Sequence, residues 1–157
     1  MSDQGETARP GRHGREFEAF VAGAAGRLLH AATLLTAETE EANPMARRLL
    51  AAALARTFAR WERLRGDDPY AHTRQELIRR FALTGWRHHR AHGGVLSRLS
   101  PQERLIVVVR LYEGVAEEQA AALLGLPVER VRALCTRATA TLRSRAPEAA
   151  GEGVVPR

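Results

Sequence analysis

Arg130, Arg132, Thr136 and Arg137 fall on one side of the stretch that Pro127 opens when that stretch is wound as a helix, with Ala133 among them. Arg143 and Arg145 follow further along. Guanidinium groups so placed clamp phosphates or bond guanine in bidentate fashion, and a threonine hydroxyl reaches a base edge or a phosphate. The chemistry is recognition of a polyanion; no bond is made or broken. The same spacing also suits the solvated basic face of an ordinary helical hairpin.

Other candidate chemistry is thin. His88, His89 and His92 make a His-His-x-x-His run without nearby acids, a weak metal motif that reads more simply as surface histidines. Asp67 and Asp68 sit in a Gly-Asp-Asp-Pro turn, where carboxylates cap a helix. Cys135 is the single cysteine, so no internal disulfide forms, and its place in an apolar stripe makes it a core residue rather than a nucleophile. No strand precedes a phosphate-cradling glycine loop. The expectation is therefore a protein with no catalytic residue, no metal site and no cofactor.

The elements that must position the arginines are legible nearby. Ser100 is an N-cap, Pro101 a first helical residue, and Glu103 completes a capping box. That helix runs through Leu105, Val108, Val109 and Leu111 to Tyr112, and Gly114 stops it. A second covers about Glu117 to Leu124 and turns Ala120, Ala121 and Leu124 inward. Gly125 makes the turn, and the third helix carries Val128, Val131, Cys135, Ala138 and Leu142 as one narrow apolar stripe. Two helices joined by a glycine turn, with small inward alanines, make a helix-turn-helix whose second helix enters a major groove.

Three longer helices are expected upstream. The first runs from about Arg15 to Thr36, with Phe17, Phe20, Val21, Ala24, Leu28, Ala31, Ala32 and Leu35 on one side. Gly23 and Gly26 weaken it by about 1 kcal/mol each unless another helix comes close. An acidic loop then leads to Asn43, a candidate cap, and Pro44. The second helix, Met45 to about Leu64, turns Leu50, Leu54, Thr57, Phe58, Trp61 and Leu64 inward, and the third, Pro69 to about Arg90, turns Leu77, Ile78, Phe81 and Trp86 inward. From Pro44 to His92 there are eleven arginines against four acids, a net of +7 in a chain whose formal charge is +6. Lysine is absent, as G- and C-rich codon usage explains, and the charge suits a polyanionic partner.

At 157 residues, 45% hydrophobic and 5% aromatic, the chain suits helix packing and not a sheet core. The fold expected is all-α: a disordered arm at 1–14, a three-helix unit at 15–90, a short glycine linker at 91–96, a helix-turn-helix unit at 97–145 and a disordered tail at 146–157. No signal region or run of transmembrane length is evident, so a cytoplasmic protein without membrane contact is expected.

"LSRLSPQERLIVVVRLYEG" followed by "AEEQAAALLGLPVERVRALCTRATATLR" resembles the C-terminal promoter-reading domain of extracytoplasmic-function sigma factors of bacterial RNA polymerase. "LLHAATLLT", "ALARTFARWERLRGDDPYAHTRQELIRR" and "GWRHHR" resemble the N-terminal domain of the same family. The resemblance implies a binding protein and no enzyme. Its partners would be double-stranded promoter DNA, core RNA polymerase and an anti-sigma factor. It implies promoter reading by Arg130, Arg132, Ala133, Thr136 and Arg137, and contact with the melted strand by Arg79, Arg80, Trp86 and Arg87, through stacking and cation contacts. It also implies a polymerase interface at Arg47, Arg48 and Leu49.

Three departures stand out. The family opens its second helix with an acidic pair that meets basic residues on the polymerase clamp; here the stretch reads Ala46-Arg47-Arg48-Leu49-Leu50, unless Glu40 and Glu41 take over in a shifted register. The family linker bridges promoter elements about two helical turns apart, roughly 70 Å, whereas 91–96 spans only about 20 Å fully extended. Arg79 stands where the family commonly has asparagine. A sigma-derived regulator, or a partner-binding protein that no longer grips core polymerase, is the alternative these departures suggest.

Overall fold

The computed structural model describes residues 11–88 and 93–144, and every regular element among them is helical. The helices are α1 (Arg12–Thr36), α2 (Pro44–Ala59), α3 (Pro69–Thr84), α4 (Pro101–Val107), α5 (Glu117–Leu124) and α6 (Val128–Arg143). The all-α expectation holds. Residues 1–10 and 145–157 lie outside the described residues, as do His89 to His92 and the side chains of Trp86 and His88, so the arm, the tail, the histidine run and part of the linker are not among them.

Several boundaries differ from the sequence reading. α1 begins three residues earlier, at Arg12, so the last residues of the expected arm are helical. α2 ends at Ala59 and the chain tightens into a 3-10 turn at Trp61–Leu64; α3 likewise ends at Thr84 and gives way to a 3-10 turn at Gly85–His88. After α4 the helix widens into a π turn at Val108–Tyr112, and Leu111 is exposed there. α1 is also apolar enough, by length and mean hydropathy, to cross a membrane, against the expectation that no segment is. Its Leu28, Ala31, Ala32 and Leu35 are buried against the protein's own helices, which accounts for the apolar side. Gly23 and Gly26 are exposed with open space where a side chain would go, so no close helix approach explains them.

The caps are partly as expected. Ser100 and Glu103 form the full capping box, and the Asp68 carboxylate accepts the Tyr70 N–H at 3.0 Å. Asn43, however, does not cap α2 with its side chain. Glu38, five residues earlier and buried, does so instead: its carboxylate accepts the Met45 N–H at 3.1 Å and the Ala46 N–H at 2.8 Å, and the Thr36 hydroxyl donates to it at 2.8 Å. A charged acceptor at the positive end of a helix dipole is the stronger solution. Asn43 is turned instead to the Thr33 hydroxyl (3.1 Å) and accepts from Arg47 Nε (2.9 Å).

α1–α3 and α4–α6 share one core. Leu35 of α1, Leu77, Ile78 and Phe81 of α3, and Ile106, Val109, Val131 and Leu134 of the second group belong to a single buried cluster. The chain entering the second group is packed as well: the Gly94 N–H donates to the Ala37 carbonyl at 2.9 Å, and Leu96 is buried. A Cβ at Gly94 would fall against the carbonyl groups of Ala37 and Glu38, so the backbones meet where only glycine fits.

Two polar ties reinforce this packing. Arg104, fully buried, donates from Nε to the Leu99 carbonyl (3.0 Å) and from a terminal nitrogen to the Leu35 carbonyl (3.1 Å). Burial lowers its pKa from the ordinary arginine value, but that value is so high that it stays charged. Glu113, placed just after the π turn with a side chain only 1% exposed, accepts the Tyr70 hydroxyl at 2.9 and 3.1 Å and lies 3.5 Å from Arg74 and 3.8 Å from Arg27. Burial first, and then the Glu113 carboxylate, push the Tyr70 phenol well above the ordinary tyrosine range. Arg27 also lies over the rings of Tyr70 and Tyr112.

Candidate nucleic-acid interface

α5 ends on Gly125, whose φ of 64° is the left-handed conformation glycine adopts without strain. The Leu126 N–H returns to the Ala121 carbonyl at 3.0 Å and closes the turn. Pro127 stands just before α6, as its N-cap, rather than inside it. Val131, Leu134 and Ala138 bury one side of α6 against α4 and α5, where Ala120 and Ala121 leave room for its backbone to come close. Leu134, absent from the sequence-derived stripe, is more completely buried than Cys135, which is only half-buried.

The opposite side of α6 is open. Arg130, Arg132, Ala133, Thr136 and Arg137 are all exposed there, together with Glu129 and Arg143. Small Ala133 sits among the arginines and lets a flat or grooved surface approach the helix. Two contacts modify the picture. Arg132 is ion-paired with Glu117 in the first turn of α5, and the Thr136 hydroxyl donates to the Arg132 carbonyl at 3.0 Å. The threonine oxygen therefore keeps its acceptor capacity, while Arg132 must exchange a carboxylate for a phosphate to bind DNA. Nothing in the sequence marks Glu117; its place fifteen residues before Arg132 across a turn is visible only once α5 and α6 are packed.

The arginines of the first three helices do not form one surface. Arg48, Leu49, Arg80 and Arg87 line a groove of about 360 Å³ between α2 and α3, with Met45, Ala52, Leu83 and Thr84. Arg80 Nε is buried there and makes no hydrogen bond with the described residues. Arg47 is exposed and tied to Asn43, outside that groove. Arg79 lies in a different groove, about 630 Å³ between α3 and α4–α5, lined mainly by Ile78, Phe81, Leu83, Leu105 and Leu124, and it pairs with Glu76 at 3.3 Å. The structure thus separates residues that the sequence grouped: two expected strand contacts join two expected polymerase contacts, and Arg79 and Arg47 go elsewhere. Glu40 is engaged by His30 at 3.1 Å.

Among the described residues no group of His, Cys, Asp or Glu is arranged to hold a metal ion. No curated protein and no solved structure matches the chain. Residues 95–144, which hold α4, α5 and α6 and about a third of the chain, match the family model for sigma-70, region 4. With the exposed arginine side of α6, that match makes the second helical group similar to the DNA-binding region of sigma factors, a non-enzymatic transcription domain.

Proposed function

We propose that the chain is a sigma-factor-like transcription protein of the extracytoplasmic-function type, acting in the cytoplasm, that binds promoter DNA through α6 and directs RNA polymerase to initiate. The observation that carries this reading is the polarity of α6. One side is buried on α4 and α5, and the other leaves Arg130, Arg132, Thr136 and Arg137 exposed, as a helix that enters a major groove requires. The Arg48–Arg80–Arg87 groove supplies a second cationic surface, suited to a displaced strand. Run-off transcription with purified core polymerase, beside a gel shift without it, tests the proposal: a specific transcript that depends on the protein is the expected result. DNA binding with no transcript rejects the initiation role.

A second reading rests on the start of α2. Arg47 and Arg48 are exposed where the family resemblance implies acids facing a basic polymerase surface, and Glu40 is occupied by His30. Like charges brought together at a desolvated interface cost several kcal/mol. A sigma-derived regulator that occupies DNA, or binds a partner such as an anti-sigma factor, without recruiting core enzyme fits that charge pattern and the shared core of the two helical groups. On this reading the double change Arg47→Glu with Arg48→Asp raises affinity for core polymerase by about tenfold or more, measured by co-sedimentation. No gain in core binding would count against it.

A further inference from the structure

Three of the four phenylalanines, and Trp61, lie outside the main core and gather at one end of the α1–α2 pair. Phe17 is the hub: its ring centroid is 4.9 Å from Phe58, 5.3 Å from Trp61 in a near-perpendicular contact, and 6.1 Å from Phe20. Phe20 and Trp61 close the set at 5.6 Å. Phe20 joins it to the small buried cluster of Ala24, Leu28 and Leu50. Phe58 is 51% exposed, although the sequence period turned it inward, and the other three rings are only half-buried. Beside them is a hollow of about 200 Å³ lined by Glu16, Trp61, Leu64, Arg65, Asp67 and Pro69.

This is an unusual use of scarce residues. Only eight side chains of the whole protein are Phe, Trp or Tyr, and four of them meet here, outside the main core, with Phe58 half in water. An aromatic centre within a charged rim is the anatomy of a protein–protein contact, because such rings bring large area at small entropic cost. The rim shows which kind of protein. The two stretches that carry the rings, 12–20 and 56–68, hold six arginines against five acids, a balance of +1 in a chain of formal charge +6. Opposite groups already meet in it, Arg12 and Glu16 along α1 at 2.9 Å and His13 and Glu62 between the two stretches at 3.3 Å. An acidic partner or a nucleic acid is drawn to the arginine-rich surfaces of α6 and of the α2–α3 groove, not to a nearly balanced rim. Another copy of the same cationic molecule is repelled at those arginine surfaces but not at such a rim.

We propose that the Phe17–Phe20–Phe58–Trp61 patch is the contact between two copies of this chain in a two-fold homodimer. A two-fold contact uses the same patch on both copies, and a rim carrying both signs in nearly equal number is self-complementary. The dimer does not depend on DNA reading. Where both hold, two copies of α6 are presented together, as paired helix-turn-helix units use for two half-sites.

Sedimentation equilibrium of the full chain tests it. At about 100 µM protein the expected mass is twice that of the chain. Phe58→Asp weakens the dimer by roughly tenfold or more with unchanged helical circular dichroism, since the side chain it removes is half in solvent. Phe58→Tyr and Arg137→Ala leave the dimer intact. Should Phe58→Asp lower helix content, Glu62→Arg replaces it: the exposed rim residue then brings the balance to +3, like charges meet across the contact, and the dimer weakens without a change in the aromatic centre. A chain that stays monomeric at that concentration overturns the proposal, and so does a dimer indifferent to both Phe58→Asp and Glu62→Arg.

Discussion

Arg137→Ala is expected to weaken binding to a duplex selected from a random-sequence pool by roughly 5-fold to 150-fold, the effect of losing about 1–3 kcal/mol at a bidentate base contact. Arg132→Ala is expected to do less, by several-fold. The difference follows from what each guanidinium gives up on binding. Arg132 is already paired with Glu117, so its gain on the DNA is an exchange of one anion for another, whereas Arg137 has no ion pair among the described residues. The salt dependence separates positioning from readout. If Arg132 holds a phosphate, its removal lowers the slope of log affinity against log salt by about one and does so alike on every sequence. If Arg137 reads a base, its removal relaxes preference at one position. Fluorescence anisotropy across a salt series on matched and mismatched duplexes gives both quantities. Equal affinity of wild type and both variants would remove α6 as the reading helix.

Arg104→Met is expected to give the largest loss of stability of any single change at a charged residue. The side chain is fully buried and joins the helical groups, with one guanidinium nitrogen on the Leu99 carbonyl and another on the Leu35 carbonyl. Methionine keeps much of the volume but no donor. Two buried carbonyls then lose a charged hydrogen bond, at about 1–3 kcal/mol each, and the midpoint of thermal unfolding drops by roughly 10 °C for a chain of this size. Arg104→Lys recovers only part of the loss, because an ammonium lacks the planar fork that serves two acceptors at once. Thermal unfolding followed by circular dichroism reads the effect. A midpoint within a degree or two of wild type would mean that Arg104 does not hold the halves together.

Arg104 also shows where inference from sequence stops. In the sequence it is one of 24 arginines, flanked by Glu103 of the capping box, and nothing in its spacing separates it from the solvated ones. Its partner at Leu35 is 69 residues away. Glu113 is similar: Tyr70 lies 43 residues before it, and the π turn that swings the carboxylate inward was not foreseen from the stretch Leu105–Tyr112. Glu38 caps α2 because a left-handed residue at Ala37 reverses the chain after α1, a geometry that an Asn-Pro pair next to the helix start gave no reason to expect. Phe58 matched the apolar period of its helix, yet α1 covers only part of that side, so the ring remains half in water.

What the sequence determined by itself was local. The helices, the Ser100 capping box, the Asp68 cap, the Gly125 turn and the division of α6 into a buried and an arginine-bearing side all follow from spacings of three or four residues and from caps within one turn, interactions the backbone makes before any distant segment arrives. Tertiary structure alone decided the rest. It set the two helical groups on a common core, buried Arg104 and Glu113 between them, joined Arg48 to Arg80 and Arg87 in one groove, and tied Arg132 to Glu117. Whether an arginine is solvated, paired or enclosed depends on what the folded chain places beside it, and residue spacing along a helix carries no record of that neighbour.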